Sequence, residues 1–118
     1  MIRQQGYVLI DFAISTSTSG LSTAQDVQGL APIAILMPDG WTAADLSFQK
    51  SADNIAFRNV YDQDGAEVVV KATTSAWVDL LPAEFPGVLY LKLRSGTLAT
   101  AVQQAAARTV TLVARPTA

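Results

Sequence analysis

The sequence predicts an all-β protein, an antiparallel β-sandwich of the jelly-roll type with about seven to eight strands. Short runs rich in β-branched and aromatic residues recur along the chain, and turn-forming residues separate them roughly every 8–12 residues. No segment keeps an apolar 3.6-residue period long enough for a stable helix. With 118 residues, half of them apolar, the chain is large enough for one domain with a single core.

The first part of this domain is expected to differ from the rest. Residues 1–29 are predicted to form an N-terminal strand and a Ser/Thr-rich arm, and residues 30–118 the body of the same sandwich. The strand is predicted over Tyr7–Ile14, which is rich in β-formers. Ser15–Ser22 is almost entirely Ser and Thr, which indicates a loop or an exposed edge strand. Such a stretch at the start of a compact domain is typical of an arm that orders against a partner.

The body is predicted to contain a strand wherever an apolar or alternating run lies between turn signals. These runs are Leu30–Met37, Leu46–Lys50, Ala56–Tyr61, Val68–Lys71, Trp77–Leu81, Val88–Ser95 and Thr109–Arg115. Leu30–Met37 is apolar on both faces, which is typical of a strand in a sheet interior or under an interface. Three cations are predicted to share one solvated or partner-facing surface, namely Arg58, Lys92 and Arg94.

The most specific turn signal is Asp64-Gly65, which favours a hairpin because glycine adopts a positive φ without strain. The alternating oxygen side chains of Asp62, Asp64 and Glu67 also resemble the start of a calcium loop. The full spacing of an EF-hand is missing, so the hairpin is the favoured interpretation.

Three shorter segments complete the secondary-structure prediction. Thr42–Asp45 and Pro82–Phe85 are each predicted to form a single helical turn, the first capped by Thr42 and the second started by Pro82. Gln103–Ala107 contains helix-favouring residues but is short and lies between two strands, so a loop is predicted.

The composition excludes several classes of function. The chain contains no histidine and no cysteine, so it has no Ser-His-Asp triad, no thiolate metal site and no disulfide. Its formal net charge of −2 gives no electrostatic case for nucleic acid. No run approaches the roughly 20 apolar residues of a membrane span. We therefore expect a non-enzymatic protein with no cofactor or metal, and with no nucleic-acid or membrane partner.

The surface is expected to be partly covered by other chains. Charged residues make up 15% of the sequence, whereas about 25% is usual in a soluble domain. A small domain that works as a free monomer normally carries more surface charge. The low charge therefore favours an oligomer or a larger assembly.

The aromatic residues allow a second kind of function, that of a carbohydrate-binding module. Trp41 follows Gly40 in a turn and is the best candidate for an exposed ring. In this interpretation Trp41 and Tyr61 stack on sugar faces, while Asp62 or Asp64 bonds to hydroxyl groups. The alternative is structural, with Trp41 and Trp77 covering the two ends of the sandwich core.

Four segments together resemble a pattern found in small virion proteins of tailed phages and gene transfer agents. They are Met37–Ser51, Tyr61–Val68, Pro82–Gly96 and Val102–Leu112. The proteins that they resemble are small β-sandwiches encoded among structural genes, and some are implicated in head decoration or in the base of a head spike or fibre. The resemblance extends over about residues 30–112.

The resemblance implies assembly rather than catalysis. It implies a virion protein, assembled in the host cytoplasm, that forms a homo-oligomer and docks on capsid or other head or tail components. Host glycans are a further expected partner if the protein also mediates adhesion. The residues expected to contact partners lie in the N-terminal strand and arm: Tyr7, Leu9, Phe12, Ser15, Thr16, Ser17 and Thr18. A chain lacking residues 1–22 is accordingly expected to stay folded but to be lost from the particle.

Overall fold

The computed structural model describes residues 6–80 and 89–116, which form nine strands and contain no helix. The strands are β1 (Val8–Ile14), β2 (Gln25–Asp26), β3 (Leu30–Leu36), β4 (Leu46–Ser51), β5 (Arg58–Asn59), β6 (Val69–Val70), β7 (Trp77–Asp79), β8 (Tyr90–Ser95) and β9 (Arg108–Pro116). Within these residues, no helix is long and apolar enough to cross a membrane. The all-β prediction is confirmed.

The strands form two antiparallel sheets. Sheet I has the order β1-β9-β3-β7, and sheet II has the order β2-β8-β4-β5, with β6 also paired to β4. The pairs run inward from the two ends of the chain: β1 with β9, β2 with β8, β3 with β7, and β4 with β5 and β6. The chain thus folds back on itself at its middle, and successive strand pairs belong alternately to sheet I and sheet II. This winding is that of a jelly roll.

Strict alternation of side chains builds the core between the sheets. In β1, Phe12 and Ile14 point inward and are fully buried. In β9, Val110, Leu112 and Ala114 do the same from the neighbouring strand. Sheet II adds inward-facing residues of β4 and β8, namely Leu46, Phe48, Leu91 and Leu93. Because successive residues of a strand face opposite sides, the same alternation also fixes what each outer face presents.

β3 lies inside sheet I, between β9 and β7, as its two apolar faces predicted. Its register shifts between Pro32 and Ala34. Proline has no N–H to donate to the ladder, so a bulge is a tolerated place for it. The extra residue, Ile33, is only half-buried. Beyond the bulge, Ile35 points into the core and Ala34 and Leu36 point outward.

The predicted hairpin is confirmed in the connection between β5 and β6, where Tyr61 is paired with Glu67; β5 and β6 themselves both pair with β4. Gly65 has a φ of +86°, and its N–H donates to the Asp62 carbonyl. The Asp62 carboxylate accepts the backbone N–H groups of Asp64 and Ala66 at 2.9 and 3.0 Å. One oxygen of this carboxylate therefore holds the turn closed, which is a common role for Asp in loops.

The predicted helical turn over Thr42–Asp45 is wrong. Thr42 is instead tied to the β8–β9 connection by Gln104, whose side chain accepts from the Thr42 N–H and donates to the Thr42 carbonyl. Because Gln104 takes both backbone groups, no helical hydrogen bond starts there. Gln103–Ala107 is a loop, as predicted. The turn predicted over Pro82–Phe85 lies outside the described residues.

The Ser/Thr-rich segment is not a detached arm. After a loop over residues 15–19, the chain runs along β8: the Ser95 N–H donates to the Gly20 carbonyl, and Ser22 and Leu93 exchange hydrogen bonds. Ser22 is buried, and Gly20 takes a φ of +69° against the backbone of Ser95. The stretch therefore extends the β2 edge of sheet II, and its small polar residues permit this close approach.

Candidate docking surface

The two sheets present outer faces of opposite character. On sheet II the outward-facing residues of β4 and β8 are polar, and the β5–β6 hairpin folds over them. On sheet I the outward-facing residues include several large apolar side chains, which the described part of the chain leaves exposed. The polar face contains a buried charge, that of Arg94.

Arg94 is the centre of the polar face. It was predicted to lie on a solvated or partner-facing surface, but it is only 5% exposed. Its guanidinium donates to Asn59 Oδ1 at 2.7 Å, to Ser47 Oγ at 3.2 Å and to Glu67 Oε2 at 3.4 Å. The Glu67 carboxylate also accepts the Leu98 N–H at 3.0 Å. Arg94 thus links the hairpin to β4 and β8, and Glu67 links the hairpin to the backbone at Leu98. This is a structural role.

The other two predicted cations of this surface are not part of that cluster. Lys92 lies over the ring of Phe57, with Nζ 4.4 Å from the ring centroid, a cation–π arrangement. Arg58 is exposed on β5. The three residues therefore have three different environments.

An apolar stripe crosses the outer face of sheet I from edge to edge. We define it as Leu9 of β1, Val113 of β9, Ala34 and Leu36 of β3, and Trp77 of β7. Leu9 is paired with Val113, Val113 with Ala34, and Leu36 with Trp77. Directly paired residues have Cβ atoms about 5 Å apart on one face of a sheet. Ala34 and Leu36 are two positions apart in β3 and so point to the same face, which joins the two halves of the stripe and makes the five side chains contiguous.

The stripe is exposed most at its two ends. Leu9 is 62% exposed, Trp77 60% and Leu36 38%. Single apolar residues on a surface are normal, but a contiguous group that spans a four-strand sheet is typical of an interaction site. Covering a large apolar side chain contributes about 1.5–3 kcal/mol. Covering the stripe with a partner is therefore favourable.

Charges lie beside the stripe rather than within it. Near the Leu9 end, Arg115 donates to the Tyr7 hydroxyl and its guanidinium carbon is 5.6 Å from the Tyr7 ring centroid. On the same side, Asp11 accepts a hydrogen bond of 2.8 Å from the Thr111 hydroxyl. Near the Trp77 end, Asp79 is exposed and paired across the strands with Ala34.

The predicted partner-binding residues are divided among three places. Tyr7 and Leu9 lie on the outer face of sheet I and are exposed. Phe12 faces the side of β1 opposite to Leu9 and is fully buried in the core. Its prediction as a contact residue is therefore wrong. The remaining four, Ser15, Thr16, Ser17 and Thr18, are exposed in the loop after β1.

The predicted glycan-contact residues are not brought together. Trp41 is only 6% exposed and its indole N–H donates to the Ala44 carbonyl at 3.0 Å, so the expectation of an exposed ring there is wrong. The structure exposes Trp77 instead, which was expected to cover the core. Tyr61, Asp62 and Asp64 all lie on the β5–β6 hairpin, with Tyr61 50% exposed.

Two ionisable groups near the end of β4 have displaced pKa values. Backbone hydrogen bonds from Ala56 and Ile55, followed by one from the Ser51 hydroxyl, lower the pKa of Asp53. This carboxylate organises the turn after β4, where Asn54 has a positive φ of 63°. Burial lowers the pKa of Lys50. Among the described residues, no group of three or more acidic side chains is placed to hold a metal ion.

Sequence reasoning missed the far half of the stripe. A sequence signal for it was present in Leu30–Met37, whose second apolar face indicated a sheet interior or an interface. That pattern did not identify Trp77, which lies beside this face on the neighbouring strand. Comparisons of the chain with protein-family models, with curated proteins and with solved structures found no match.

Proposed function

We propose that this chain is a structural protein of a tailed-phage or gene-transfer-agent virion, a capsid decoration or head-spike or fibre-base component. It acts by covering its apolar stripe against a neighbour in the assembled particle. The observation that carries the proposal is the exposed, contiguous stripe on sheet I. The four segments that resemble small virion proteins support the choice of particle. The jelly roll occurs in viral capsid domains and also in lectins and cupins, so the proposal rests on the stripe and not on the fold.

The test is the protein content of particles purified from the strain that carries the gene. Quantitative mass spectrometry is expected to find the wild-type chain at a fixed copy number in DNA-filled particles. The variant Trp77→Lys is expected to be depleted roughly tenfold or more, because a lysine at the end of the stripe places an unpaired charge in the contact.

The matched control is Ile55→Lys, which also replaces an exposed apolar residue by lysine. Ile55 is 83% exposed in the turn after β4, away from the stripe, and this variant is expected to be incorporated like the wild type. Circular dichroism of both purified variants establishes that they are folded. Absence of the wild-type chain from purified particles, or normal incorporation of Trp77→Lys, contradicts the proposal.

A second candidate is a carbohydrate-binding module centred on the β5–β6 hairpin. It is favoured by Tyr61, which is half-exposed beside Asp62 and Asp64. Trp41 has no part in it, since its ring is buried. On a glycan array, Tyr61→Ala is expected to lose binding that Tyr7→Ala retains, because Tyr7 is similarly exposed but lies on sheet I. A wild-type chain that binds no glycan eliminates this candidate.

A further inference from the structure

We infer that the neighbour on the apolar stripe is a second copy of this chain, related to the first by a two-fold axis. The inference rests on the proposed function, because it names the partner that covers the same stripe. Three properties of the outer face of sheet I support it: the order of side chains along the stripe, the charges beside it, and the area available.

The order of the stripe suits contact with itself. A two-fold contact uses the same patch on both copies, so a residue at one end of the patch meets a residue at the other end. Face-to-face pairing with the stripe reversed places Leu9 of one copy against Trp77 of the other. The two most exposed side chains of the stripe then cover each other twice, once at each end.

The charges beside the stripe are complementary in the same arrangement. Arg115 lies beside the Leu9 end, and Asp79 lies beside the Trp77 end. Reversal of the stripe brings Arg115 of one copy to the side of Asp79 of the other, at two symmetry-related places. Asp11, the second acid on this face, is already bonded to Thr111. A rim of opposite charges fixes the register of a contact more than its strength.

The area approaches what a specific dimer needs. β1 and β3 have seven residues each, β9 has nine and β7 has three. At about 3.4 Å per residue and 4.8 Å between strands, the face measures roughly 420 Å² in plan. Two such faces remove roughly 850 Å² in plan, and more in accessible surface, since side chains project from the sheet. Stable interfaces begin at about 1,000–1,200 Å². Two sheets packed in this way lie about 10 Å apart, like the layers of a sandwich.

The inference is tested with the purified full-length chain in the absence of particles. Sedimentation velocity between about 1 and 100 µM is expected to show a reversible species of twice the 12.5 kDa chain mass. Arg115→Asp and Asp79→Arg are each expected to raise the dimer dissociation constant roughly tenfold or more, because each places like charges together twice. The double variant restores opposite charges and is expected to recover most of the wild-type affinity.

Matched controls reverse exposed charges elsewhere, with Arg58→Asp on β5 and Asp64→Arg on the hairpin; both are expected to dimerise normally. A wild-type chain that is monomeric at about 100 µM, or that forms a trimer or pentamer, overturns the inference. A dimer that ignores both single reversals, or that the double variant fails to rescue, also overturns it. If the chain is a monomer in solution but is found in particles, this inference is refuted and the proposed function stands. If the chain is a dimer but is absent from particles, the proposed function is refuted and the dimer stands.

Discussion

Replacing Arg94 by methionine is expected to destabilise the protein by about 3–5 kcal/mol. Methionine keeps the apolar stem of the side chain but removes the guanidinium. Glu67, whose side chain is 17% exposed, then keeps a partly buried charge without its cation. Asn59 and Ser47 each lose a donor at the same time. The loss is measured as the change in unfolding free energy in urea, followed by circular dichroism.

The chain offers a matched control for this charge in Lys71→Met. Lys71 Nζ is 3.2 Å from Asp45 Oδ2, and its side chain is 91% exposed. An ion pair in this setting contributes less than about 1 kcal/mol, so Lys71→Met is expected to leave the midpoint almost unchanged. If Arg94→Met is as mild as Lys71→Met, the guanidinium is not holding the hairpin.

A second variant separates the pair from the rest of the network. In Arg94→Met with Glu67→Gln, the unpaired carboxylate is gone, so the double variant is expected to be less destabilised than the two single changes add up to. The amide that Glu67→Gln introduces still offers an oxygen to the Leu98 N–H, which in the wild type bonds to the carboxylate. A strictly additive result means that Arg94 acts through Asn59 and Ser47 instead.

The parts of the fold that the sequence predicts well are those with a local cause. Alternation in β9 follows from Val110, Leu112 and Ala114 at every second position, and the core uses all three. The β5–β6 hairpin follows from Asp64-Gly65, because the turn needs a positive φ and glycine supplies it. In both cases neighbouring residues contain the whole physical reason.

The parts that it predicts poorly have distant causes. The Ser95 N–H donates to the Gly20 carbonyl and the Ser22 N–H to the Leu93 carbonyl, while the Ser22 hydroxyl accepts the Leu93 N–H. Two of these three bonds join backbone groups, which side-chain patterns in the sequence do not indicate. Arg94 follows the alternation predicted for it, on the outer face, yet it is buried because a hairpin folds over that face. Alternation determines the side on which a residue lies but not whether something covers it.

The same limit applies to the candidate site. Leu9 was identified from its own strand, but Trp77 and Leu36 become part of one surface with it only through the order of strands in sheet I. Which of the two tryptophans is buried also depends on residues distant in the sequence. The Trp41 backbone N–H donates to the Thr74 hydroxyl, and its indole N–H donates to the nearby Ala44 carbonyl. Trp77 instead lies on a three-residue edge strand with its ring outward.

Replacing Phe12 by alanine is expected to cost about 3–5 kcal/mol, a large part of the roughly 5–15 kcal/mol that stabilises a domain. Phe12 is fully buried between the sheets, and β1 pairs with β9 along seven residues. This strand therefore belongs to the sandwich, and removal of residues 1–22 is expected to abolish cooperative unfolding. That outcome replaces the expectation of a truncated chain that stays folded.

Leu9→Ala on the same strand is the control, because it shortens a side chain on the opposite, outer face of β1. At about 1 µM protein it is expected to change the unfolding free energy by less than about 0.5 kcal/mol. The contrast between the two variants distinguishes a core strand from an attached arm, since an arm tolerates both changes equally. Equal effects, or a cooperative transition in the truncated chain, would show that β1 docks on a sandwich already complete without it.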